Sequence, residues 1–450
     1  MQQLKYPTKR ISQPWTDQLF EPVDNSPLIV FRIIFGLLLA LEGGGAIATG
    51  WVKRVFVEPS FTFTFIGFEW LQPLLGPEMY LVYGVLALSG MMVMLGFYYR
   101  ASITIYALLW TMSYLMQKSS YNNHYYLMVL LCWAMVLMPA HRYFSLDVWQ
   151  KRVTPSLTCP RWCLLFFIIQ VCIVYFFAAL AKLYPDWLEL KPISLWFGSK
   201  AHYPVIGPLL QKTWFQGVVA YGGIVFDLLI APFLLWKRSR PYAFVILVFF
   251  HLFNSVIFGI GVFPYMMIGL SVFFFPPEQV RNVFFKEKPK TLPDESTQVK
   301  NKKRVIFILG IYFLFQLFLP VRHLFVKGNV FWTEEGHRMA WRMMLRSKSG
   351  SIQFKVKDKT TGEEWKVDPY DYLTDKQARK LSVQPDMIWQ FAQYLKQEYA
   401  QEGIEVEIYA ISRVSLNGST SQPLVDAGVD LANEPWNTFT HARWILPYKQ

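Results

Sequence analysis

Long apolar segments recur through the first 324 residues of this 450-residue chain. A helix needs about 20 mostly apolar residues to cross the hydrocarbon core of a bilayer. Nine segments have this character, the eighth being short and aromatic: 28–47, 78–97, 102–117, 124–138, 163–182, 214–236, 241–258, 263–275 and 305–321. The sequence therefore predicts a polytopic α-helical membrane domain with about nine transmembrane helices.

The composition supports this prediction and excludes other classes of protein. Hydrophobic residues make up 53% of the chain and charged residues only 17%, so a disordered or collagen-like chain is excluded. The four cysteines lie in or beside apolar segments and lack the spacing of zinc ligands: Cys132, Cys159, Cys163 and Cys172. A disulfide scaffold is therefore excluded as well.

The positive charge is confined to the membrane part. Residues 325–450 contain 16 Lys+Arg and 16 Asp+Glu, so the whole net charge of +13 lies in residues 1–324. With the N-terminus placed inside, the inner segments carry 19 Lys+Arg and the outer loops carry 6. Because such an excess marks cytoplasmic loops, we expect a cytoplasmic N-terminus and an extracytoplasmic C-terminal domain, periplasmic or, in a eukaryote, luminal. The charge then indicates no nucleic-acid partner.

The first of the nine segments and two segments outside them allow further predictions. The first apolar segment begins too late for a signal peptide and predicts an uncleaved first span. The apolar segment 61–75 is bracketed by Pro59 and Pro73, which predicts an interfacial or re-entrant segment. The polar segment 286–303 predicts a solvated cytoplasmic linker.

The C-terminal part has the pattern of a folded α+β domain. Apolar and polar residues alternate in 351–357 and 364–367 around a turn, which predicts a β-hairpin. Segments 374–381 and 386–400 have helical spacing, and 404–416 alternates as a long strand. We therefore expect two domains, a transmembrane domain at 1–324 and an extracytoplasmic, β-rich, sandwich-like α+β domain at 325–450.

Polar and ionisable residues interrupt the apolar segments at three places. Such residues are costly within a membrane and typically functional. The three places are the 121–124 segment, Lys182, and the pair His251 and Asn254. His251 and Asn254 are three residues apart and therefore share a helix face. The predicted topology puts all three in the outer half of the membrane, where they can line one cavity that opens toward the C-terminal domain.

Each of these residues also has a structural interpretation. Lys182 can extend its amine to the membrane surface, and Asn122 and Asn123 can cap a helix. His251 can hydrogen-bond a neighbouring helix, and Arg32 can pair inside the protein. The histidines lack the spacing of metal ligands, so no metal site is predicted.

Seven short motifs occur in order along the chain: Tyr-Asn-Asn-His at 121–124, Ala-Lys-Leu then Asp-Trp within 181–187, Tyr-Gly-Gly at 221–223 with Asp227, Phe-His-Leu-Phe-Asn-Ser at 250–255, Trp-Arg-Met-Met at 341–344, Val-Asp-Leu at 429–431 and Arg-Trp-Ile-Leu-Pro at 443–447. Each motif alone is weakly specific. In this order, across nearly the whole chain, they resemble the vitamin K-dependent γ-glutamyl carboxylases with their HTTM-type transmembrane domain.

The resemblance implies a chemistry and its co-substrates. Such an enzyme oxygenates vitamin K hydroquinone with O2 to the epoxide, and the strong base formed on the way removes a γ-proton from a peptide glutamate. The carbanion then captures CO2, and no metal takes part. The implied partners are a glutamate-containing peptide or protein, membrane lipid and the quinone.

The resemblance also implies roles for individual residues. Lys182 matches the base that initiates the reaction, and His124 matches a histidine that assists beside the quinone. Segment 336–341 corresponds to the part implicated in glutamate binding, which here offers His337, Arg338 and Trp341.

The quinone site is expected to be completed by side chains from two of the polar clusters. Hydrogen-bond donors near the quinone favour its anion. The candidates are Asn122, Asn123, His251 and Asn254.

The proposed base imposes a physical requirement. A lysine in water is protonated at neutral pH, whereas burial disfavours the charged amine. Lys182 must therefore face the protein interior rather than the lipid headgroups. Asp186, four residues further on, would favour the charged amine if it paired closely, so we expect it to point elsewhere.

The chain departs from the animal members of the family. Those carry two consecutive lysines where this chain has Ala181-Lys182, and they have a longer luminal region that helps to hold the substrate propeptide. The chain thus resembles a compact, bacterial-type member. Two alternative functions remain open: a quinol epoxidase without carboxylation, and a membrane transporter whose polar residues line a substrate path.

Overall fold

The computed structural model describes residues 15–74, 76–290 and 301–449. Within these ranges, six helices are long and apolar enough to cross a membrane: Ser26–Ala48, Glu78–Leu95, Trp162–Ala181, Thr213–Leu235, Arg240–Phe258 and Lys302–Phe325. The helical character of the N-terminal part is thereby confirmed.

The prediction of nine spans exceeds this number, because three of the predicted segments form helices that are shorter or more polar than these six. Tyr99–Met116 has the length of a span but carries more polar residues. Asn123–Leu137 has 15 residues, which at 1.5 Å per residue is shorter than the roughly 30 Å hydrocarbon core. Phe263–Leu270 has 8 residues and continues as a 3₁₀ turn. These helices pack among the longer ones.

Short elements precede, connect and follow the long helices. They are Trp15–Gln18, the π-helical turn Lys53–Val57, Lys118–Ser120, Leu146–Trp149, Pro185–Leu188, Lys191–Gly198, Gly207–Leu210, Ser271–Phe274, Pro277–Phe284, Arg322–Phe325, Val330–Thr333 and Pro369–Asp371. The predicted segment 61–75 is irregular as far as residue 74, and residue 75 lies outside the described residues. Of the predicted linker 286–303, residues 291–300 also lie outside them.

The end of the helical bundle that we predict to be cytoplasmic is held by buried ions. Strands Pro22–Asp24 and Thr158–Pro160 pair there, and the Asp24 carboxylate lies 3.2 Å from an Arg281 nitrogen and 2.6 Å from the Lys288 amine. The Arg32 guanidinium donates to two backbone carbonyls of the neighbouring loop, so the expected internal pairing of Arg32 is confirmed.

The C-terminal part contains one four-stranded antiparallel sheet, covered on one face by helices Asp375–Leu381 and Pro385–Gln401. The strand order in the sheet is Glu364–Val367, Lys348–Asp358, Val406–Leu416 and Gln422–Pro423. The predicted hairpin, helices and long strand are present, with Phe354 opposite Val367 in the hairpin.

The sandwich-like arrangement predicted for this domain is wrong. Helix Pro385–Gln401 presents the buried side chains of Met387, Ile388, Phe391 and Leu395 to the apolar face of the sheet. The Phe391 and Phe354 rings, for example, lie 5.1 Å apart. The helix therefore supplies the apolar layer that a second sheet would supply in a sandwich.

The C-terminal part rests on three loops that we predict to be on the outer side. Hydrogen bonds join it to each loop: Gln377 Nε2 to the Phe61 carbonyl at 2.6 Å, Lys376 Nζ to Ser120 Oγ at 3.0 Å and Asn417 Nδ2 to Asp186 at 2.8 Å. All three loops thus lie at the same end of the bundle, as alternating helices require. Which end faces the cytoplasm stays a prediction.

Candidate active site

A cavity of about 120 Å³ lies between the helices and the C-terminal part. Most of its walls are aromatic and aliphatic, and Met343 and Met344 of the C-terminal part close one side. The ionisable and amide side chains that line it are His124, Lys182, Asp227, His251 and Asn254. Four of the residues selected from the sequence, His124, Lys182, His251 and Asn254, are therefore brought together from three parts of the chain.

Lys182 lies directly after helix Trp162–Ala181 and faces the protein interior. Its side chain forms an ion pair with Asp227, and Nζ also donates to the Ala178 carbonyl at 3.2 Å. The residue is 9% exposed, and the ring of Trp187 lies 5.7 Å from Nζ. The Lys182 amine therefore lies inside the protein and does not extend to the membrane surface.

Asp227 is the residue of this cavity whose role the sequence did not reveal. It lies within the long apolar helix Thr213–Leu235 and is buried. Its visible signals were its place four residues after the Tyr-Gly-Gly motif and a carboxylate inside a span, which is costly without a partner. Asp186, in contrast, pairs with Lys191 at 3.0 Å and accepts a hydrogen bond from Asn417. The expectation that Asp186 points away from Lys182 is confirmed.

The two imidazoles of the cavity share one aromatic neighbour. The His124 ring stacks on Phe263 with 4.1 Å between centroids, and the His251 ring meets Phe263 edge-on at 6.0 Å. His251 Nε2 is also hydrogen-bonded to the Tyr175 hydroxyl at 2.8 Å. The expectation that His251 hydrogen-bonds a neighbouring helix is therefore correct, and its ring also lines the cavity. The Asn254 amide nitrogen donates to the Phe250 carbonyl at 3.0 Å.

Asn122 and Asn123 lie outside the cavity lining. The Asn122 side chain caps helix Asn123–Leu137 by accepting a hydrogen bond from the Tyr125 amide at 2.7 Å. The Asn123 side chain accepts from the Tyr121 hydroxyl and donates to the Arg342 carbonyl at 3.0 Å. Both asparagines thus position His124, and neither reaches the space beside Lys182.

The three residues selected for glutamate binding are also outside the cavity lining. His337 is 6% exposed and faces an Arg346 nitrogen at 2.8 Å. Two nitrogens of Arg338 donate to the Asp386 carboxylate, at 2.6 and 3.2 Å. Trp341 is fully buried, with its ring 5.1 Å from that of Tyr126. The Arg338 guanidinium is therefore occupied within the protein, whereas His337 Nδ1 and Trp341 Nε1 are buried without a hydrogen-bond partner.

A second buried ion cluster joins the C-terminal part to the helices beside the cavity. Besides Arg338, the Asp386 carboxylate meets the Lys118 amine at 2.7 Å. Burial lowers the pKa of Lys118 to about 8, although Asp386 opposes this shift. Burial would raise the pKa of Asp386, but Arg338 and Lys118 outweigh it and hold that pKa well below its usual range. The cluster is therefore charged at neutral pH and fixes the C-terminal part over the cavity.

Fold and site together define a polytopic membrane protein with a buried amine–carboxylate pair under a C-terminal α+β domain. In the part of the chain that the structure describes, no group of three or more His, Cys, Asp or Glu side chains is placed to hold a metal ion.

Comparison with known protein families agrees with this description. The HTTM domain model matches residues 20–278, and the model of the vitamin K-dependent gamma-carboxylase lumenal domain matches residues 301–450. The chain belongs to the vitamin K-dependent gamma-carboxylase family. No solved structure matches it.

The Asp386 cluster gives a prediction about stability. Asp386→Asn leaves two buried cations without a carboxylate, which costs about 3–5 kcal/mol. We expect thermal unfolding of the purified protein in detergent to begin several degrees lower than in the wild type. Asp375→Asn is the matched control, because the Asp375 carboxylate is exposed and its 4.0 Å distance from Arg379 is the outer limit of an ion pair. An equal melting temperature for both variants would contradict the structural role of the cluster.

Proposed function

We propose that this protein is a vitamin K-dependent γ-glutamyl carboxylase in which Lys182 is the base that initiates the reaction. The observation that carries the proposal is the burial of the Lys182 amine in one apolar cavity with two imidazoles. A general base acts on a proton within hydrogen-bond reach, and a mostly apolar cavity limits the access of water to a reactive intermediate. Family membership supports the same chemistry.

The cavity suits a flat aromatic ring with polar groups at its edge. Aromatic walls are supplied by Trp187, Trp196, Phe250, Phe258 and Phe263. When bound there, vitamin K hydroquinone supplies, with O2, the strong base that removes the γ-proton of glutamate. O2 and CO2 are small and uncharged, so neither needs a charged site of its own.

Asp227 solves a difficulty in using Lys182 as a base. An amine and a carboxylic acid that share one proton can form an ion pair or a neutral pair, and a dry environment reduces the advantage of the ion pair. In the neutral pair, Asp227 holds the proton and the Lys182 nitrogen is free to accept another from a quinol hydroxyl. The ammonium so formed stabilises the negative charge left on the hydroxyl oxygen.

The remaining polar groups of the cavity orient the ring. His124 and His251 face the cavity beside Phe263, where an imidazole N–H can donate to a quinol oxygen. Tyr175 restrains the His251 ring through its hydroxyl, and Asn254 adds an amide group to the same wall. These residues position the quinol, while Lys182 accepts a proton from its hydroxyl group.

The two substrates reach the cavity from different solvents. A quinol with an isoprenoid tail enters from the lipid between helices, and a peptide glutamate arrives from the water beside the C-terminal part. We place that part, residues 325–450, outside the cytoplasm and the helical part, residues 1–324, in the membrane with its N-terminus in the cytoplasm. The excess of Lys and Arg on the inner segments supports this orientation.

Quinol epoxidation without carboxylation is the second candidate function. One observation favours it: the charge of Arg338, the cation among the three residues selected for glutamate binding, is already paired with Asp386. The deciding assay combines the purified protein with vitamin K hydroquinone, labelled bicarbonate and a glutamate peptide. Label in the peptide supports carboxylation, epoxide alone supports the second candidate, and neither product would favour a transporter.

Replacement of the proposed base should abolish the reaction of the quinol. For Lys182→Ala we expect epoxide formation to fall by about 100-fold or more, the usual effect of losing a general base. The measurement is epoxide production by purified protein whose folding is checked by its thermal unfolding. Lys191→Ala, which removes a half-exposed amine of the neighbouring loop, should keep full activity. Activity near that of the wild type in Lys182→Ala would reject Lys182 as the base.

Replacement of its partner should also slow the reaction. Asp227→Asn removes the carboxyl group that takes the shared proton from Lys182, and Nζ loses a charge-assisted hydrogen bond that orients it. Epoxide formation by the purified protein should therefore fall by about tenfold or more. Asp186→Asn serves as the control and should keep full activity. Activity near that of the wild type in Asp227→Asn would show that the pair does not govern the base.

A further inference from the structure

Three arginines follow one another at intervals of four residues in the segment that covers the cavity. Arg338 pairs with Asp386, and Arg346 pairs with Glu334. Arg342, between them, forms no ion pair with any carboxylate of residues 15–74, 76–290 or 301–449. Of these three arginines, Arg342 is therefore the one whose positive charge is not balanced by a carboxylate of the described residues.

The contacts of Arg342 are those of a cation that lacks an anion. One guanidinium nitrogen lies 2.6 Å from Nε2 of His323, and the group stands over the Phe331 ring at 5.4 Å. Because His323 Nδ1 lies 3.0 Å from the Pro320 carbonyl and donates to it, Nε2 is the acceptor and the imidazole is neutral. The Arg342 Nε is buried and has no hydrogen-bond partner.

Burial makes this arrangement costly. It lowers the pKa of Arg342 to about 10, and the neighbouring Arg346 acts in the same direction. The guanidinium is nevertheless charged at neutral pH. A partly buried charge without a partner destabilises the protein. A contribution to stability therefore does not explain the presence of Arg342, whereas binding of an anion from outside the protein does.

Arg342 also stands next to the cavity. Met343 and Met344, the next two residues, line the cavity that contains Lys182. The Arg342 carbonyl accepts a hydrogen bond from Asn123, whose neighbour His124 also lines this cavity. Since consecutive Cα atoms are about 3.8 Å apart, the backbone of Arg342 lies at the edge of this cavity.

The backbone of this segment is held in an unfavourable conformation. Met339, Trp341 and Met344 have φ angles of 58°, 55° and 48°, in the left-handed region that side chains other than glycine rarely adopt. Each such residue costs about 1–3 kcal/mol, and such residues cluster at ligand-binding sites. The strained backbone before and after Arg342, at Trp341 and Met344, fixes the position of this arginine.

We propose that Arg342 binds the side-chain carboxylate of the acidic peptide substrate at the edge of the cavity. The inference rests on the proposed function and assigns to Arg342 the role that the sequence suggested for His337, Arg338 and Trp341. A guanidinium forms charge-assisted hydrogen bonds with a carboxylate, and this one has no acidic partner in the described protein. The neighbouring Arg322 likewise forms no ion pair within the described residues, and it donates to the Arg338 carbonyl at 2.5 Å.

The test compares a peptide that contains one glutamate with the same peptide containing glutamine. In carboxylation assays, Arg342→Gln should raise KM for the glutamate peptide by about 10- to 100-fold, the value of a hydrogen bond to a charged group, with a smaller change in kcat. Arg342→Lys, which keeps the charge, should recover part of the affinity. Arg379→Gln is the control, because its guanidinium is 67% exposed, and it should leave KM unchanged.

A binding measurement separates failure of this inference from failure of the proposed function. Calorimetry with the purified wild type should detect the glutamate peptide and not the glutamine peptide, and Arg342→Gln should lose this preference. That result would support the role of Arg342 even if the wild type incorporated no label. An unchanged KM or an unchanged preference in Arg342→Gln would overturn the inference, as would a wild type that does not distinguish the peptides.

The stability of Arg342→Gln gives a further readout. Replacement of a residue that serves only the fold lowers the melting temperature, whereas removal of an unpaired, partly buried charge should leave it unchanged or raise it. A melting temperature several degrees below that of the wild type would assign Arg342 to the fold instead of the substrate.

Discussion

The ion pair between Lys182 and Asp227 is the interaction on which the rest of this structure depends. Removing two ionisable groups from water costs several kcal/mol for each, so the helices around them must repay that cost by apolar packing. Two of these helices bring together residues that lie 45 positions apart. A pair of hydrophobic residues would be at least as stable in the same place. Retention of an amine and a carboxylate therefore points to chemistry rather than to stability.

The C-terminal part turns this pair into a site that two kinds of molecule can reach. It is anchored to the helices through Asp386 with Lys118 and Arg338, and it extends Met343 and Met344 over the cavity. The cavity therefore lies at the boundary between the membrane helices and the water-exposed domain. A lipid-soluble aromatic ring and a polar side chain can meet there, as a quinol-dependent modification of a peptide requires.

Local patterns predicted the elements and part of the site. Apolar length located the helices, alternation located the hairpin, and the cost of polar groups in a membrane selected Lys182, His124 and His251. Partners distant in the sequence were not predictable, because no local spacing links Lys182 to Asp227 or Arg338 to Asp386. The sandwich prediction was wrong for the same reason, because which layer covers the sheet depends on packing. Which arginine lacks an acidic partner also depends on packing, and glutamate binding by His337, Arg338 and Trp341 stays a prediction. Whether Asn122 and Asn123 touch a quinone stays a prediction, and their positions do not favour it.

The most direct test of the account is an experimental structure of the protein with vitamin K hydroquinone, prepared without oxygen so that the reaction cannot proceed. The account predicts the aromatic ring inside the cavity, with one hydroxyl oxygen about 3 Å from Lys182 Nζ, a hydrogen-bond distance. A ring bound elsewhere, or a Lys182 amine turned to lipid or bulk water, would contradict it.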